Sequence, residues 1–318
     1  MADQTLGVIV PTIGDRPEIR RLLESVANQV RRPDRICVVV DADDPAFVES
    51  VLEGLSAQMD GIDVDVVVTG ARRRAGEYLA ETGYGVAVNR GLKAVETDLI
   101  ALLDDDDEIL PEHFSNLTAA LANTPEARAA YTRATVVSVD GTRRSFQKGP
   151  LPRGWVDPFV VMTAHPVLLP TMVVERSLYE ELDGMDESFD RKADTDMLVR
   201  IAKATPLAAV DEATYLYYRY PHGSEVRARA HEETAELVEK HQSGMTRRQR
   251  FVLWDSLARA ASDAGHDGVA VKAAREAMRN ALGSWGQPLA VPYLRVRGSK
   301  GLRRAASQVS RSLRRRRG

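Results

Sequence analysis

The stretch Leu99-Ile100-Ala101-Leu102-Leu103-Asp104-Asp105-Asp106-Asp107 joins five apolar residues directly to four adjacent aspartates. An uninterrupted apolar run of this kind is typical of a strand that is buried on both faces, as in a parallel sheet. Ligands of such sheets bind at the carboxyl ends of the strands. Crowded carboxylates raise one another's pKa unless a cation lies among them. The stretch therefore predicts a site for a divalent cation, Mg²⁺ or Mn²⁺, that carries a substrate phosphate. A solvated acidic loop is the alternative interpretation.

Strand and helix patterns alternate ahead of this stretch. Strands are predicted at 6–10, 36–40 and 64–68, and a glycine-rich turn at 83–85 precedes the helix that leads to the acidic stretch. A helix is predicted over 17–30, with its apolar residues on one face: Ile19, Leu22, Leu23, Val26 and Val30. This order predicts an α/β fold with a doubly wound, mostly parallel sheet and right-handed crossovers.

The pattern changes after residue 121. Strands at 134–139 and 142–146 flank the turn dipeptide Asp140-Gly141, which predicts a hairpin. Further on, the sequence predicts a strand at 172–174, a helix at 195–203, a strand at 215–220, and helices from 231 onward. Apolar residues recur at helical spacing in this last part and predict core packing: Phe251, Trp254, Leu257, Ala258, Val269, Ala273 and Met278.

Composition limits the class of protein. The chain has 318 residues, 44% of them hydrophobic, and no apolar run approaches the roughly 20 residues that a membrane helix needs. The sequence starts without a basic region followed by an apolar stretch, so we expect a cytoplasmic protein. The single cysteine, Cys37, lies in a predicted strand and is expected to be a buried structural thiol.

Charge is unevenly distributed along the chain. Residues 295–318 carry ten arginines and lysines and no acidic residue, whereas the rest has 33 basic and 46 acidic residues. This basic tail favours an anionic membrane surface as a partner, which would place the protein peripherally at the inner face of the membrane. We do not expect nucleic acid as a partner. A disordered, solubilising end is the alternative interpretation.

The order of the motifs matches that of a known family. The motifs are Val8-Ile9-Val10-Pro11-Thr12, Val38-Val39-Val40-Asp41-Ala42-Asp43-Asp44, Asn89-Arg90-Gly91-Leu92, the acidic stretch, Gly184-Met185-Asp186-Glu187-Ser188-Phe189 and Asp194-Thr195-Asp196-Met197. Over roughly residues 5–225 this order resembles the family 2 inverting glycosyltransferases of GT-A fold. The resemblance implies a GT-A-like catalytic domain at 1–225, followed by a helical extension at 226–285 and a basic, flexible tail at 286–318.

The resemblance implies a nucleotide-sugar donor, with a UDP-linked sugar as the family expectation. Asp104 and Asp106 match the acidic pair of the family's DxD motif, and Asp106 is our first choice for direct contact with the metal. Asp105 and Asp107 are also acidic, so the alignment of the DxD motif with residues 104–107 stays open by one residue. Contacts with the donor are implied for Pro11, Thr12, Asp41, Asp43, Asn89, Asp104 and Asp105. The run of aspartates at 41–44 also suits the start of a helix, with Asp44 as a cap.

Asp194 matches the family's general base, which takes the proton of the acceptor hydroxyl during attack on the anomeric carbon. Asp196 is the alternative base, and capping of a helix that begins at Thr195 is the alternative role for Asp194. The family usually has Glu-Asp where this chain has Ala193-Asp194, and an arginine where it has Val88.

Two later segments are also of interest. The segment at 218–224 resembles a family segment with arginine and histidine, which implies that His222 binds the metal or the diphosphate. A structural or exposed histidine is the alternative. The acceptor is expected near residues 155–171, where Trp155 and His165 either contact a sugar or pack in the core.

The predicted activity is transfer of a sugar, with inversion, from a nucleoside diphosphate to an acceptor hydroxyl. Synthesis of a surface polysaccharide, glycolipid or glycoconjugate is implied, with a glycan, a lipid-linked molecule or a small molecule as acceptor. A sugar-phosphate nucleotidylyltransferase is one alternative, although the loop at 10–14 has one glycine where those enzymes need a glycine-rich loop. A non-catalytic module that binds nucleotide-sugar or polysaccharide is the other. Ala193 permits it, whereas the clustered aspartates disfavour it.

Overall fold

Strands and helices alternate through the first part of the chain. The structure, a computed structural model, describes residues 4–70, 83–219 and 225–281, the last range without the side chains of 225–229 and 281. The chain divides into two compact units, Met1–Pro221 and His222–Gly318. The elements of the first unit are β1 (Leu6–Thr12), α1 (Ile19–Ala27), β2 (Arg35–Val40), α2 (Ala46–Glu53), β3 (Asp63–Val68), α3 (Tyr84–Ala94), β4 (Leu99–Leu102), β5 (Glu108–Ile109), α4 (His113–Ala122), β6 (Ala129–Ser138), β7 (Arg143–Ser145), α5 (Pro158–Ala164), β8 (Met172–Glu175), α6 (Arg176–Glu181), α7 (Ala193–Ala204) and β9 (Leu207–Arg219).

The strands form one mixed sheet in the order β3-β2-β1-β4-β8-β6-β9-β5, with β7 beside β6. Strands β3, β2, β1 and β4 are parallel, β8 runs antiparallel to both β4 and β6, and β6 is parallel to β9. The predicted doubly wound, mostly parallel sheet is therefore confirmed. The carboxyl ends of β1, β2 and β4 meet at one edge, which we call the carboxyl edge.

Helices cover both faces of the sheet because its strands are apolar on both sides. Alternate residues such as Val8 and Val10 pack with α1, α2 and α4 in one core. Ile9 points to the opposite face, where α3 approaches so closely that a Cβ on Gly91 would lie 2.4 Å from Ile9 Cγ2. Glycine at position 91 therefore sets the spacing between α3 and the sheet.

Several sequence predictions are confirmed and others need correction. Cys37 is buried, and burial raises its pKa to about 11. Gly141 has a φ of 80° in the turn between β6 and β7, as the hairpin prediction requires. Helix α1 ends at Ala27, and Val30 is 70% exposed, because the chain turns away so that the Val30 amide can donate to the Pro111 carbonyl. Strand β9 is longer than predicted and begins at Leu207.

The second unit is helical in its described part. It contains α8 (Glu225–His241), α9 (Arg247–Asp263) and α10 (Asp267–Ala281). Thr246 and Gln249 form a capping box that begins α9, and the predicted core residues Trp254, Leu257 and Ala258 are buried on it. None of the described helices is long and apolar enough to cross a membrane. The limits of the helical extension and of the tail stay predictions, because 282–318 lie outside the described residues.

Candidate active site at the carboxyl edge

The loop of four aspartates that follows β4, which we call the acidic loop, is fixed to β9 through its last member. Asp107 is fully buried. Its Oδ2 accepts a hydrogen bond from the Tyr215 hydroxyl at 2.5 Å, and its Oδ1 accepts one from the Tyr218 amide at 2.7 Å. Burial raises the pKa of Asp107 to about 7, although both hydrogen bonds act to lower it. Asp107 therefore anchors the acidic loop to the sheet.

Two arginines hold the acidic loop from the side of α1. Arg16 Nη1 lies 3.0 Å from Asp105 Oδ1 and 3.1 Å from Asp106 Oδ2. Arg21 Nη2 donates to the backbone carbonyl of Asp106, and its guanidinium lies 3.8 Å from the centre of the Tyr218 ring. Arg21 therefore supports the backbone of the acidic loop, whereas Arg16 contacts its carboxylates.

Asp104 connects the acidic loop electrostatically with α7. Burial raises the pKa of Asp104 well above its ordinary value, and the other three aspartates of the loop and Asp194 raise it further. Asp104 and Asp194 also raise the pKa of the Tyr84 hydroxyl, after burial, which is the largest cause. Asp104 of the acidic loop, Tyr84 of α3 and Asp194 of α7 thus lie within electrostatic range of one another.

Asp194 and Asp196 have different surroundings on α7. The helix begins at Ala193, so Asp194 is inside its first turn and is not the cap of a helix starting at Thr195. Its Oδ1 accepts a hydrogen bond from the Thr195 amide at 2.6 Å. Asp196 is fully buried, and its Oδ2 lies 2.7 Å from Arg200 Nε. This ion pair disfavours Asp196 as the base.

The predicted donor side lies at the ends of β1 and β2. Asp41 is buried, and its two oxygens accept from the Thr69 hydroxyl at 2.9 Å and the Gly83 amide at 3.1 Å. The Asp41 amide donates to the backbone carbonyl of Thr12, the residue that follows Pro11 in β1. These contacts join the ends of β1, β2 and β3 to the start of α3.

Two aspartates beside the donor side reach the surface. Asp43 is exposed at the same edge of the sheet. Asp44 accepts a hydrogen bond from the Ala46 amide at 2.9 Å, but the N-cap of α2 is Pro45, so Asp44 lies one position before the cap that the sequence predicted it to be.

The side chain of Asn89 is engaged within the protein. Its Nδ2 donates to the Met185 carbonyl at 2.9 Å and to Glu187 Oε1 at 2.7 Å, and its Oδ1 accepts from the Met185 amide at 2.7 Å. Gly184 has a φ of 65°, and a Cβ there would lie 2.5 Å from Asn89 Oδ1. Asn89 therefore holds the loop at 184–187, and its predicted contact with the donor stays a prediction.

The two candidate acceptor residues lie at opposite ends of α5. His165 follows the last residue of α5 and has a φ of 44°. Its pKa is lowered by burial and then by Lys192, while Asp194 acts to raise it, so it lies within range of the proposed base. Trp155 precedes α5, is 68% exposed, and adjoins Gly154, which pairs with Leu207 at the start of β9. Of these two residues, His165 is the one with an observed electrostatic interaction with Asp194.

The acidic loop suits a divalent cation that arrives with a substrate. Among the described residues, the buried Oδ2 of Asp105 has no hydrogen-bond partner. The same residues contain no group of three or more His, Cys, Asp or Glu that could hold a metal alone. Mg²⁺ commonly takes one or two carboxylates and completes its shell with substrate phosphates and water, which fits this arrangement. The other predicted ligand, His222, lies outside the described residues.

Sequence reasoning missed three residues of this site: Arg16, Arg21 and Tyr84. A signal was available for Arg16, because β1 is next to β4 in a doubly wound sheet and the loop after β1 must pass near the acidic loop. Tyr84 lies within the predicted glycine-rich turn, but nothing in the sequence indicates that it lies near aspartates. Arg21 occupies the polar face of an amphipathic helix, where an arginine is ordinarily solvated.

This sheet order, with aspartates at the carboxyl edge, defines a GT-A-type glycosyltransferase fold. The model of the family described as Glycosyl transferase family 2 matches residues 7–156. Residues 7–156 therefore match a family 2 glycosyltransferase, and the resemblance found in the sequence is confirmed over this range.

Similar proteins agree with this assignment. The uncharacterized glycosyltransferase YwdF of Bacillus subtilis (strain 168) is 22% identical over 256 residues, which cover 78% of this chain and 88% of that protein. The crystal structure of S. aureus TarS 1-349 in complex with UDP has a TM-score of 0.57 at 19% identity, over 81% of this chain and 72% of that one. The mannosyltransferase PcManGT from Pyrobaculum calidifontis, in complex with GDP-Man and Mn²⁺, has a TM-score of 0.56 at 17% identity, over 92% and 78%. At these identities the two structures are evidence for the fold alone.

Proposed function

We propose that this protein transfers a sugar from a nucleoside diphosphate, UDP in the first instance, to an acceptor hydroxyl with inversion at the anomeric carbon. The acceptor belongs to the synthesis of a surface polysaccharide, glycolipid or other glycoconjugate. The solved relatives support the donor class, since their structures contain UDP or GDP-Man.

In the proposed reaction, the acceptor oxygen forms a bond to the anomeric carbon while the bond from that carbon to the diphosphate oxygen breaks. Asp194 takes the proton of the acceptor hydroxyl. The bonding electron pair leaves with the nucleoside diphosphate. Because attack and departure occur on opposite faces of the sugar, the configuration inverts.

Asp106, with Asp104 or Asp105 beside it, would hold Mn²⁺ or Mg²⁺. When bound, the metal would neutralise the charge that develops on the leaving diphosphate. Asp41, Asp43, Pro11 and Thr12 would receive the nucleoside at the ends of β1 and β2.

One observation carries the proposal: Asp194 lies within electrostatic range of Asp104. A carboxylate suited to accept a proton therefore lies close to the acidic loop that would hold the donor diphosphate. An inverting transfer needs a base at the acceptor hydroxyl and a cation at the donor diphosphate, and the two groups must lie close together because the acceptor attacks the donor sugar.

The metal role is tested by replacing Asp106 with alanine. We expect Mn²⁺ to raise the melting temperature of the wild-type protein in the presence of UDP-sugars or GDP-sugars, and we expect this Mn²⁺-dependent increase to disappear in Asp106→Ala. A thermal-shift screen of nucleotide-sugars with and without Mn²⁺ measures both, and an unchanged circular dichroism spectrum controls for folding. If Asp106→Ala transferred sugar at a rate close to that of the wild type, either the alignment of the DxD motif with Asp106 or the metal role would be wrong.

A further inference from the structure

Arg16 contacts the carboxylates that the proposed function assigns to the metal. A single nitrogen, Nη1, bridges Asp105 Oδ1 at 3.0 Å and Asp106 Oδ2 at 3.1 Å. The side chains of Asp105 and Asp106 are 6% and 24% exposed, whereas that of Arg16 is 41% exposed. Arg16 is therefore the more solvent-accessible partner of a largely buried acidic pair.

Arg16 differs from its neighbour Arg21 in what it holds. Arg21 contacts a backbone carbonyl, an aromatic ring and, at 4.0 Å, Glu108. Those contacts do not involve the carboxylates of Asp105 or Asp106. Arg16 belongs to the loop between β1 and α1, so its guanidinium can move without disturbing a helix or a strand.

A metal ion bound through Asp105 and Asp106 would compete with the Arg16 guanidinium, which already contacts Asp105 Oδ1 and Asp106 Oδ2. Mg²⁺ binds carboxylate oxygen at about 2.1 Å, a distance that excludes a second cation hydrogen-bonded along the same approach. Displacing Arg16 would break its ion pairs with Asp105 and Asp106. A donor diphosphate removes this cost, because phosphate oxygens are favoured partners of guanidinium groups.

We infer that Arg16 is a built-in counterion of Asp105 and Asp106 that the divalent cation displaces, and that the freed guanidinium then binds the diphosphate. This inference rests on the proposed function and extends it to the order of assembly. Metal and diphosphate would bind cooperatively, because the metal frees Arg16 for the diphosphate and the diphosphate gives the freed guanidinium a new partner. Metal without nucleotide would bind weakly.

The test measures Mn²⁺ binding and needs no turnover. Loss of the free Mn²⁺ signal in electron paramagnetic resonance gives the dissociation constant, with and without UDP, and with GDP in parallel. In Arg16→Gln we expect Mn²⁺ alone to bind more tightly, by about fivefold or more, and the enhancement by nucleotide to fall by a similar factor. Arg16→Lys keeps a positive charge and should lie between wild type and Arg16→Gln. It also serves as the test if Arg16→Gln fails to fold.

A matched control is Arg20→Gln, which removes an exposed arginine of α1 that lies 4.0 Å from Glu24. It should bind Mn²⁺ like the wild type. Unchanged or weaker binding of Mn²⁺ alone by folded Arg16→Gln, while wild type binds Mn²⁺ with nucleotide, would overturn the inference and leave the metal role intact. If neither the wild type nor any variant bound Mn²⁺ with either nucleotide, both this inference and the proposed metal role would be overturned.

Discussion

Asp194 and Asp196 are two positions apart on α7 and differ chemically because of what surrounds them. Asp196 is fully buried against Arg200, whose Nη1 also donates to the carbonyls of Leu182 and Gly184. Asp194 is half-buried and accepts hydrogen bonds from the amide and the hydroxyl of Thr195. An aspartate held by an arginine is a poor proton acceptor, so the two positions should respond differently to the same substitution.

We expect Asp194→Asn to keep donor binding and to lose transfer by a factor of about 10² or more, because asparagine cannot accept the proton. Nucleotide binding and product formation are measured on the same preparation. As the control, Asp196→Asn should lower the free energy of unfolding by about 1.5–3 kcal/mol, since a hydrogen bond to a charged group is weakened. Unchanged activity in Asp194→Asn would exclude it as the base, and lost donor binding would indicate a structural role.

His113 gives a prediction about pH. The imidazole is fully buried, with Nδ1 2.8 Å from the Thr214 hydroxyl oxygen, and burial lowers its pKa from 6.5 to about 3. Between these values the unfolded chain binds a proton that the folded protein does not. Acidification from about pH 6.5 to pH 3 should therefore lower the free energy of unfolding, by up to about 1.4 kcal/mol per pH unit from this group.

Urea denaturation at several pH values measures this contribution. His113→Asn removes the titrating group and keeps a polar atom near Thr214, so the acid-dependent loss should be smaller than in wild type. An identical pH dependence in the two proteins would show that His113 does not account for it.

At the level of elements, the loop at 184–187 depends on α3. Asn89 donates to the Met185 carbonyl and to Glu187 and accepts from the Met185 amide, and the loop leads directly toward α7. We expect Asn89→Ala to lower the free energy of unfolding by about 1–3 kcal/mol, because the Met185 amide and carbonyl lose their partners. Hydrogen exchange should rise in this loop.

Asn89→Ala also separates the structural role of Asn89 from the donor contact predicted from the sequence. If Asn89 only holds the loop, nucleotide affinity stays close to that of wild type. Reduced nucleotide affinity with unchanged exchange in the loop would instead support the direct contact.

The parallel part of the sheet could be predicted because each of its strands is a short, almost continuous apolar run. The first half of β9, Leu-Ala-Ala-Val at 207–210, was missed because alanine is not typical of strands. The short helices α5 and α6 were missed because they are too brief for a helical period to be visible. The aspartates of the site stood out as a cluster. Their partner Arg16 lies 89 residues from Asp105 in the chain, so only the fold brings them together.

At the level of the whole molecule, the basic tail predicts where the protein lies in the cell, namely at an anionic membrane surface. Residues 295–318, with their ten cations, lie outside the described residues. We expect the full-length protein to bind anionic vesicles in a salt-sensitive manner, because each cation near such a surface contributes about 1 kcal/mol.

Truncation at Tyr293 should abolish this vesicle binding and leave activity on a soluble acceptor unchanged. Co-sedimentation with vesicles at increasing salt concentrations measures the effect, and neutral vesicles are the control. Equal binding by the truncated and full-length proteins would remove the membrane hypothesis.

The anchoring of the acidic loop to β9 has a consequence for engineering. A chimera in which residues 154–206 are replaced by those of a relative would acquire the acceptor-binding region of that relative. It would keep both Asp107 and its partner Tyr215. A junction placed between Tyr215 and Tyr218 would instead separate the two donors to Asp107. Asn89 must match the incoming loop at 184–187, so it belongs with the exchanged segment although it lies far away in the chain. Recombination libraries that respect these two connections should yield a larger share of folded enzymes than libraries cut at arbitrary positions.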